Sequence, residues 1–176
     1  MRFGIVALFL SLFTPSPSVA KPEVSLMKKP DEIKRQYIYD LAATVYGEAR
    51  GESYEGKVAV AHVIINRAEK GGWWGSTISE VVRKPYQFSC WNDNDPNSEV
   101  CRDIADDGAE GFTSWLEDKT FRECLHAALA AITGQHPDQT GNAFHYHVSN
   151  MRNPPKWSKG VTPSAEIGHH VFFNNI

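Results

Sequence analysis

Apolar residues recur at helical spacing from Ile33 to Ala49. Tyr37, Leu41 and Val45 fall in line, and the next position on that side is Glu48. Asp31 is placed to cap this helix, Glu32 suits its first turn, and Gly51 is placed to end it. A second helix is predicted from an N-cap at Ser53 to about Ala68. Its centre, Val58 to Ile65, is apolar nearly all round, the pattern of a helix buried at the middle of a domain. Gly71-Gly72 stops it.

Thr77-Ile78-Ser79-Glu80 has capping-box spacing and opens a short helix through Val82. Pro85 then predicts an extended stretch, Tyr86 to Ser89. Residues 90–113 read as the least regular part, with turn chemistry at Asn92 to Asn97. A further capping box at Ser114 to Glu117 precedes a stripe of Phe121, Leu125, Ala128 and Ile132, closed by Gly134. Residues 143–148 and 167–173 are the two predicted strands, and Trp157 lies in the loop between them. The fold class is therefore α+β, mainly helical, with a small C-terminal β element.

With 176 residues, 41% of them hydrophobic and 22% charged, one globular domain is expected. The net charge of −3 comes without a block of basic residues, so a nucleic-acid partner is not expected. Met1-Arg2, the apolar run Phe3 to Phe13 and the small residues Ser18-Val19-Ala20 read as a secretory signal peptide over 1–20. Eleven apolar residues fall short of the roughly 20 needed to span a bilayer, so no stable membrane insertion is expected after its removal. A short leader, 21–30, and one domain, 31–176, follow. Export sets an oxidising context for Cys90, Cys101 and Cys124, and Cys90–Cys101 is the favoured bridge because it would pin the polar loop 91–100.

Glu48 is the candidate for acid chemistry. A charge on the core side of a helix is costly, and desolvation favours the protonated carboxyl that a general acid needs. A pairing with Arg50 or Arg67 is the competing explanation. Glu52 and Glu55 could supply a second carboxylate, although both also fit as solvated acids at a helix start. His145 and His147 alternate on a strand and invite a metal reading, but their spacing matches no standard zinc signature. No metal or other cofactor is expected. Asp93-x-Asp95-x-Asn97 is a poor match to a calcium loop, because Ser98 stands where glycine belongs. Trp73, Trp74, Trp91 and Trp157, all in predicted loops, suit stacking on sugar rings.

Leu41-Ala42-Ala43-Thr44-Val45-Tyr46-Gly47-Glu48-Ala49-Arg50-Gly51-Glu52 resembles the signature of the cell wall hydrolases related to the spore cortex-lytic enzyme SleB. Tyr54 to Ala61, Ile65-Asn66-Arg67, Thr77 to Val82, Gln87-Phe88-Ser89, Asp138 to Ala143, Tyr146-His147 and the tail from Val161 to Phe172 continue the likeness in order. The resemblance implies a lysozyme-like fold related to goose-type lysozyme and lytic transglycosylases. It implies action on peptidoglycan glycan strands; with the signal peptide, an exported monomer in the periplasm or in the extracellular space or cell wall is expected. Glu48 is the implied general acid/base, and Gln87, Phe88, Ser89, Tyr146, His147 and Trp157 are the implied substrate contacts. The bond expected to break is the β-1,4 link between N-acetylmuramic acid and N-acetylglucosamine, giving 1,6-anhydro ends. Hydrolysis by a muramidase-type enzyme, a metal-dependent amidase and a non-catalytic wall-binding module are the alternatives.

Overall fold

The computed structural model describes residues 34–176. The expected signal peptide, leader and Asp31 cap lie outside the described residues. Helix α1 (Arg35–Ala49) starts behind Lys34, whose side chain makes no cap bond. Helix α2 (Tyr54–Lys70) starts at the expected Ser53, whose hydroxyl accepts from the Gly56 N–H at 3.2 Å. Gly71 ends α2 at φ 66, donating its N–H to the Arg67 carbonyl. Helix α3 (Ile78–Arg83) is capped by Thr77 as expected, and Glu80 reaches back to the Ser76 N–H at 2.7 Å.

The stretch expected to be irregular holds two helices, α4 (Ser98–Asp106) and α5 (Gly108–Ser114). Cys101, Ile104 and Ala105 form the buried stripe of α4 and pack with α1. Three apolar positions amid acids are a faint signal, and the tertiary contact decides the helix. The expected cap at Ser114 is also corrected. Ser114 closes α5, and the true cap of α6 (Lys119–Ile132) is Asp118, which accepts from the Phe121 N–H at 2.7 Å. Residues 86–89 form a turn running into a 3-10 turn at Ser89–Trp91, not an extended strand.

Helices α1, α2 and α6 pack on one another around Leu41, Val45, Val58, Ile64, Phe121 and Ala128. The other side of α2 contributes Ala59 and Val63 to a smaller cluster with Ala143 and Phe172. Burial on two sides explains why the centre of α2 is apolar all round. His62 within it is a satisfied core histidine, its Nε2 2.9 Å from the His136 carbonyl.

The sheet is antiparallel, in the order β1-β3-β2. Strand β1 (His145–Val148) pairs with β3 (His170–Phe173), and β3 with β2 (Ala165–Ile167). The segment expected as one strand from 167 to 173 is thus a hairpin. Gly168, at φ 59, takes the first central position of its two-residue turn, where a positive φ is required.

Burial weakens the hold of His62, His145 and His170 on a proton. Burial opposes the anions of Glu52 and Asp138 too, but hydrogen bonds outweigh it and keep both carboxyls below their usual range. The Glu52 bonds come from His169; those of Asp138 come from Thr140 and Asn66. All five groups bind protons more readily in the unfolded chain, so acid favours unfolding. Their stabilising contribution is complete above about pH 6.5 and falls as pH drops, first through the histidine window and then through the carboxylate window. Thermal melts recorded from about pH 7.5 down to about pH 2.5 should show this two-stage loss, whereas exposed histidines would leave the upper stage flat.

Candidate active site

The last turn of α1 carries Glu48. Leu41 and Val45 on the same side are fully buried, but Glu48 is half-buried, because the helix ends beside it. The C-terminal end of a helix is the unfavourable end for an anion. Three donors meet the carboxylate there. The Ser89 hydroxyl donates to Oε1 at 3.1 Å, the Cys90 N–H donates to Oε1 at 2.9 Å, and the Tyr146 hydroxyl donates to Oε2 at 3.1 Å. The competing pairings are not formed. Arg50 turns back to the carbonyls of Tyr46 and Gly47, and no ion pair reaches Glu48 among the described residues.

Two banks supply the donors. On one bank, the 3-10 turn Ser89–Trp91 is pinned to α1 by the Trp91 indole, which donates to the Thr44 hydroxyl at 2.9 Å. Gly47 permits the close approach: a Cβ there would stand 2.5 Å from the Cys90 Cβ and 2.7 Å from the Cys101 Sγ. The expected Cys90–Cys101 bridge is not formed, and all three cysteines are free thiols. Cys101 instead donates to the Ala43 carbonyl, and burial pushes the Cys124 thiol up to about 12.

On the other bank, alternation along β1 turns Tyr146 toward Glu48 and sends His145 and His147 to the opposite face of the sheet. Tyr146 packs with His170 and Phe172. Burial, then the charge of Glu48, pushes the Tyr146 phenol well above its usual range, so it stays a neutral donor.

Arg67, only 5% exposed, joins the banks. Its Nε donates to the Phe144 carbonyl at 2.7 Å, two residues before Tyr146, and Nη1 donates to the Gln87 carbonyl and Oε1 at 3.3 Å each, two residues before Ser89. Its guanidinium lies against the rings of Trp74 and Phe88. Burial lowers its pKa to about 10, opposed by Tyr146 and Glu48, so it remains a cation at neutral pH. Asn66 steadies the same approach to β1, donating to Asp138 and to the Ala143 carbonyl.

The other expected contacts divide. Gln87 is spent inside the protein, accepting from Arg67 and donating to the Trp74 carbonyl at 2.7 Å. Phe88, expected against substrate, is 2% exposed and supports Arg67 from the core. His147 and Trp157 sit together on the far face of β1, where Trp157 packs against both His145 and His147. Glu52 is a structural pin: it accepts from the His169 N–H at 2.9 Å and pairs with the His169 ring at 3.2 Å, holding the β2–β3 turn. Glu55 is an exposed acid in the first turn of α2. Asp95 caps its own turn through Asn97, and Asp93 pairs with Arg102, which leaves the calcium-loop reading without support. The sequence offers Arg67 only as an ion-pair partner of Glu48, not as the link between the two banks, and it does not point to the Cys90 amide at all. The motif Ile65-Asn66-Arg67 was the one available signal for the first, whereas a backbone donor leaves none.

A family model described as Cell Wall Hydrolase matches residues 51–173. The chain belongs to that family. Among its curated relatives, the spore cortex-lytic enzyme of Oceanobacillus iheyensis is 35% identical over 136 residues, and that of Bacillus subtilis is 33% identical over 132. The alignments take in 75% of this chain in each case, but 39% and 35% of the relatives' own length. The crystal structure of the catalytic domain of the Bacillus cereus SleB protein shares the fold, with a TM-score of 0.56 and 29% identity over 82% of this chain and 94% of that one. The catalytic domain of the germination-specific lytic transglycosylase SleB from Bacillus anthracis gives the same score and identity, over 82% and 98%. Glu48 stands just upstream of the stretch that the family model matches.

Two substitutions probe how the site is held. Gly47→Ala should cost about 1–3 kcal/mol in chemical denaturation, because the methyl meets Cys90 and Cys101. Arg67→Lys should cost about 1–3 kcal/mol by leaving buried carbonyls unpaired, and should lower kcat more than it changes KM.

Proposed function

We propose that this chain cleaves the glycan strands of peptidoglycan, with Glu48 as the single general acid/base, and that it does so as a lytic transglycosylase. The observation that carries this reading is the half-buried Glu48 carboxylate held by three donors from two separate segments. Membership of the Cell Wall Hydrolase family and the likeness to the SleB catalytic domains support it.

Protonated Glu48 donates to the glycosidic oxygen between N-acetylmuramic acid and N-acetylglucosamine. The anomeric C–O bond breaks through an oxocarbenium-like state. The muramic 6-hydroxyl then attacks the anomeric carbon and returns its proton to Glu48. The product is a 1,6-anhydro ring, and the enzyme ends in its starting protonation state. Ser89 and the Cys90 amide hold one oxygen of Glu48, and neutral Tyr146 holds the other, fixing the carboxyl plane. Of the two carboxylates that could activate water, Glu52 is committed to His169 and Glu55 is an exposed acid at the start of α2, which favours internal closure over hydrolysis. The substrate lies outside the cytoplasmic membrane, in keeping with the signal peptide read in the sequence.

Digestion of purified sacculi followed by mass spectrometry tests the proposal. Muropeptides one water lighter than hydrolysis products are expected. Reducing ends would favour the muramidase alternative, and fragments cut at the amide, lost on chelation, would favour the amidase. Glu48→Gln should lower release by at least about 100-fold while the melting curve stays in place. Retained lysis in that variant would refute the role of Glu48.

A further inference from the structure

Lys84-Pro85-Tyr86-Gln87 is a β-turn closed by the Gln87 N–H donating to the Lys84 carbonyl at 3.2 Å. Proline stands at its second position, and Tyr86 at its third has φ 66. That is the type II arrangement, whose third position belongs to glycine. A bulky side chain there is a strained outlier. The Tyr86 N–H donates to Asn92 Oδ1 at 3.3 Å, so the turn is tied to the next loop, but the side chain finds no such anchor. Tyr86 is 90% exposed, and its ring joins no aromatic or cation–π contact among the described residues.

The turn sits beside the site. Tyr86 precedes by three residues the Ser89 hydroxyl that donates to Glu48, a reach of at most about 10 Å along the chain. Its flanking residues bind the next loop. Lys84 donates to the Trp73 carbonyl and lies over the Trp73 ring, and Gln87 donates to the Trp74 carbonyl. Trp73 is itself 67% exposed, with its ring edge-on to Trp74. Two of the most exposed aromatic residues among the described residues are thus carried on two short turns that are bonded together.

We propose that Tyr86 and Trp73 form an outlying subsite that stacks on pyranose rings of the same glycan strand, beyond the bond that Glu48 cleaves. This rests on the glycan-cleaving function proposed above. A flat, rigid ring offers its face to the C–H face of a sugar at little cost in side-chain entropy. The exposed Tyr86 ring stands free of the protein and open to a ligand.

The test uses the full chain in the Glu48→Gln background, so that binding is read without turnover. The probes are intact sacculi and glycan strands freed of their stem peptides. Tyr86→Gly should raise the melting temperature by about 2–4 °C, because the turn relaxes. The same variant should weaken binding of peptide-free strands by roughly three- to ten-fold, as should Trp73→Ala. Tyr86→Trp should bind as its parent does. A Tyr86→Gly protein that is more stable and binds as tightly as its parent would overturn the subsite, as would weakened binding to sacculi alone with peptide-free strands unaffected. Anhydromuropeptide release by the protein with Glu48 intact reports separately on the cleavage reaction, so failure of one reading does not mask the other.

Discussion

A buried guanidinium sets the geometry on which the rest depends. Burying the cation of Arg67 is expensive, and the cost is offset by carbonyl acceptors, two ring faces and the nearby Glu48. The acceptors lie on separate stretches of chain, one leading into β1 and one into the turn before Ser89. One side chain from α2 thus ties both stretches that carry donors to Glu48. The Glu48 carboxylate is therefore oriented by the helical core, through Arg67, and not by loops acting alone.

Three glutamates close together in sequence meet three different fates, each decided by surroundings. Glu48 faces a junction between a helix end, a tight turn and a strand, and collects donors from the last two. Glu52 is consumed by His169 and keeps a hairpin closed. Glu55 stays in solvent at the start of α2, where the helix dipole favours an anion. Separation of roles by environment is what permits one carboxylate to do acid/base work beside others that do not.

Glycine and tyrosine mark opposite uses of backbone freedom around the same site. Gly47 has no side chain because two cysteines occupy that space, and this lets the Cys90 amide come within hydrogen-bond reach of Glu48. Tyr86 keeps a side chain in a conformation that suits glycine, and the ring gains nothing from the fold. The first arrangement serves packing; the second places a strained aromatic on the rim of the site.

Periodicity determined the three central helices, and turn chemistry determined several of their ends, because 3.6-residue spacing and caps at Ser53 and Thr77 are local properties. The helix line also singled out Glu48 before any contact was known. Short elements were not legible in this way. Helices α4 and α5, the Asp118 cap and the hairpin within 167–173 depend on what packs against them, as does the burial of Phe88. Sequence order placed Tyr146, His147 and Trp157 together as sugar contacts; strand alternation sends only Tyr146 to Glu48. The identity of an acid can be written in one chain segment. Its orientation needs donors from turns and strands far away in sequence, and only the folded core brings those to one point.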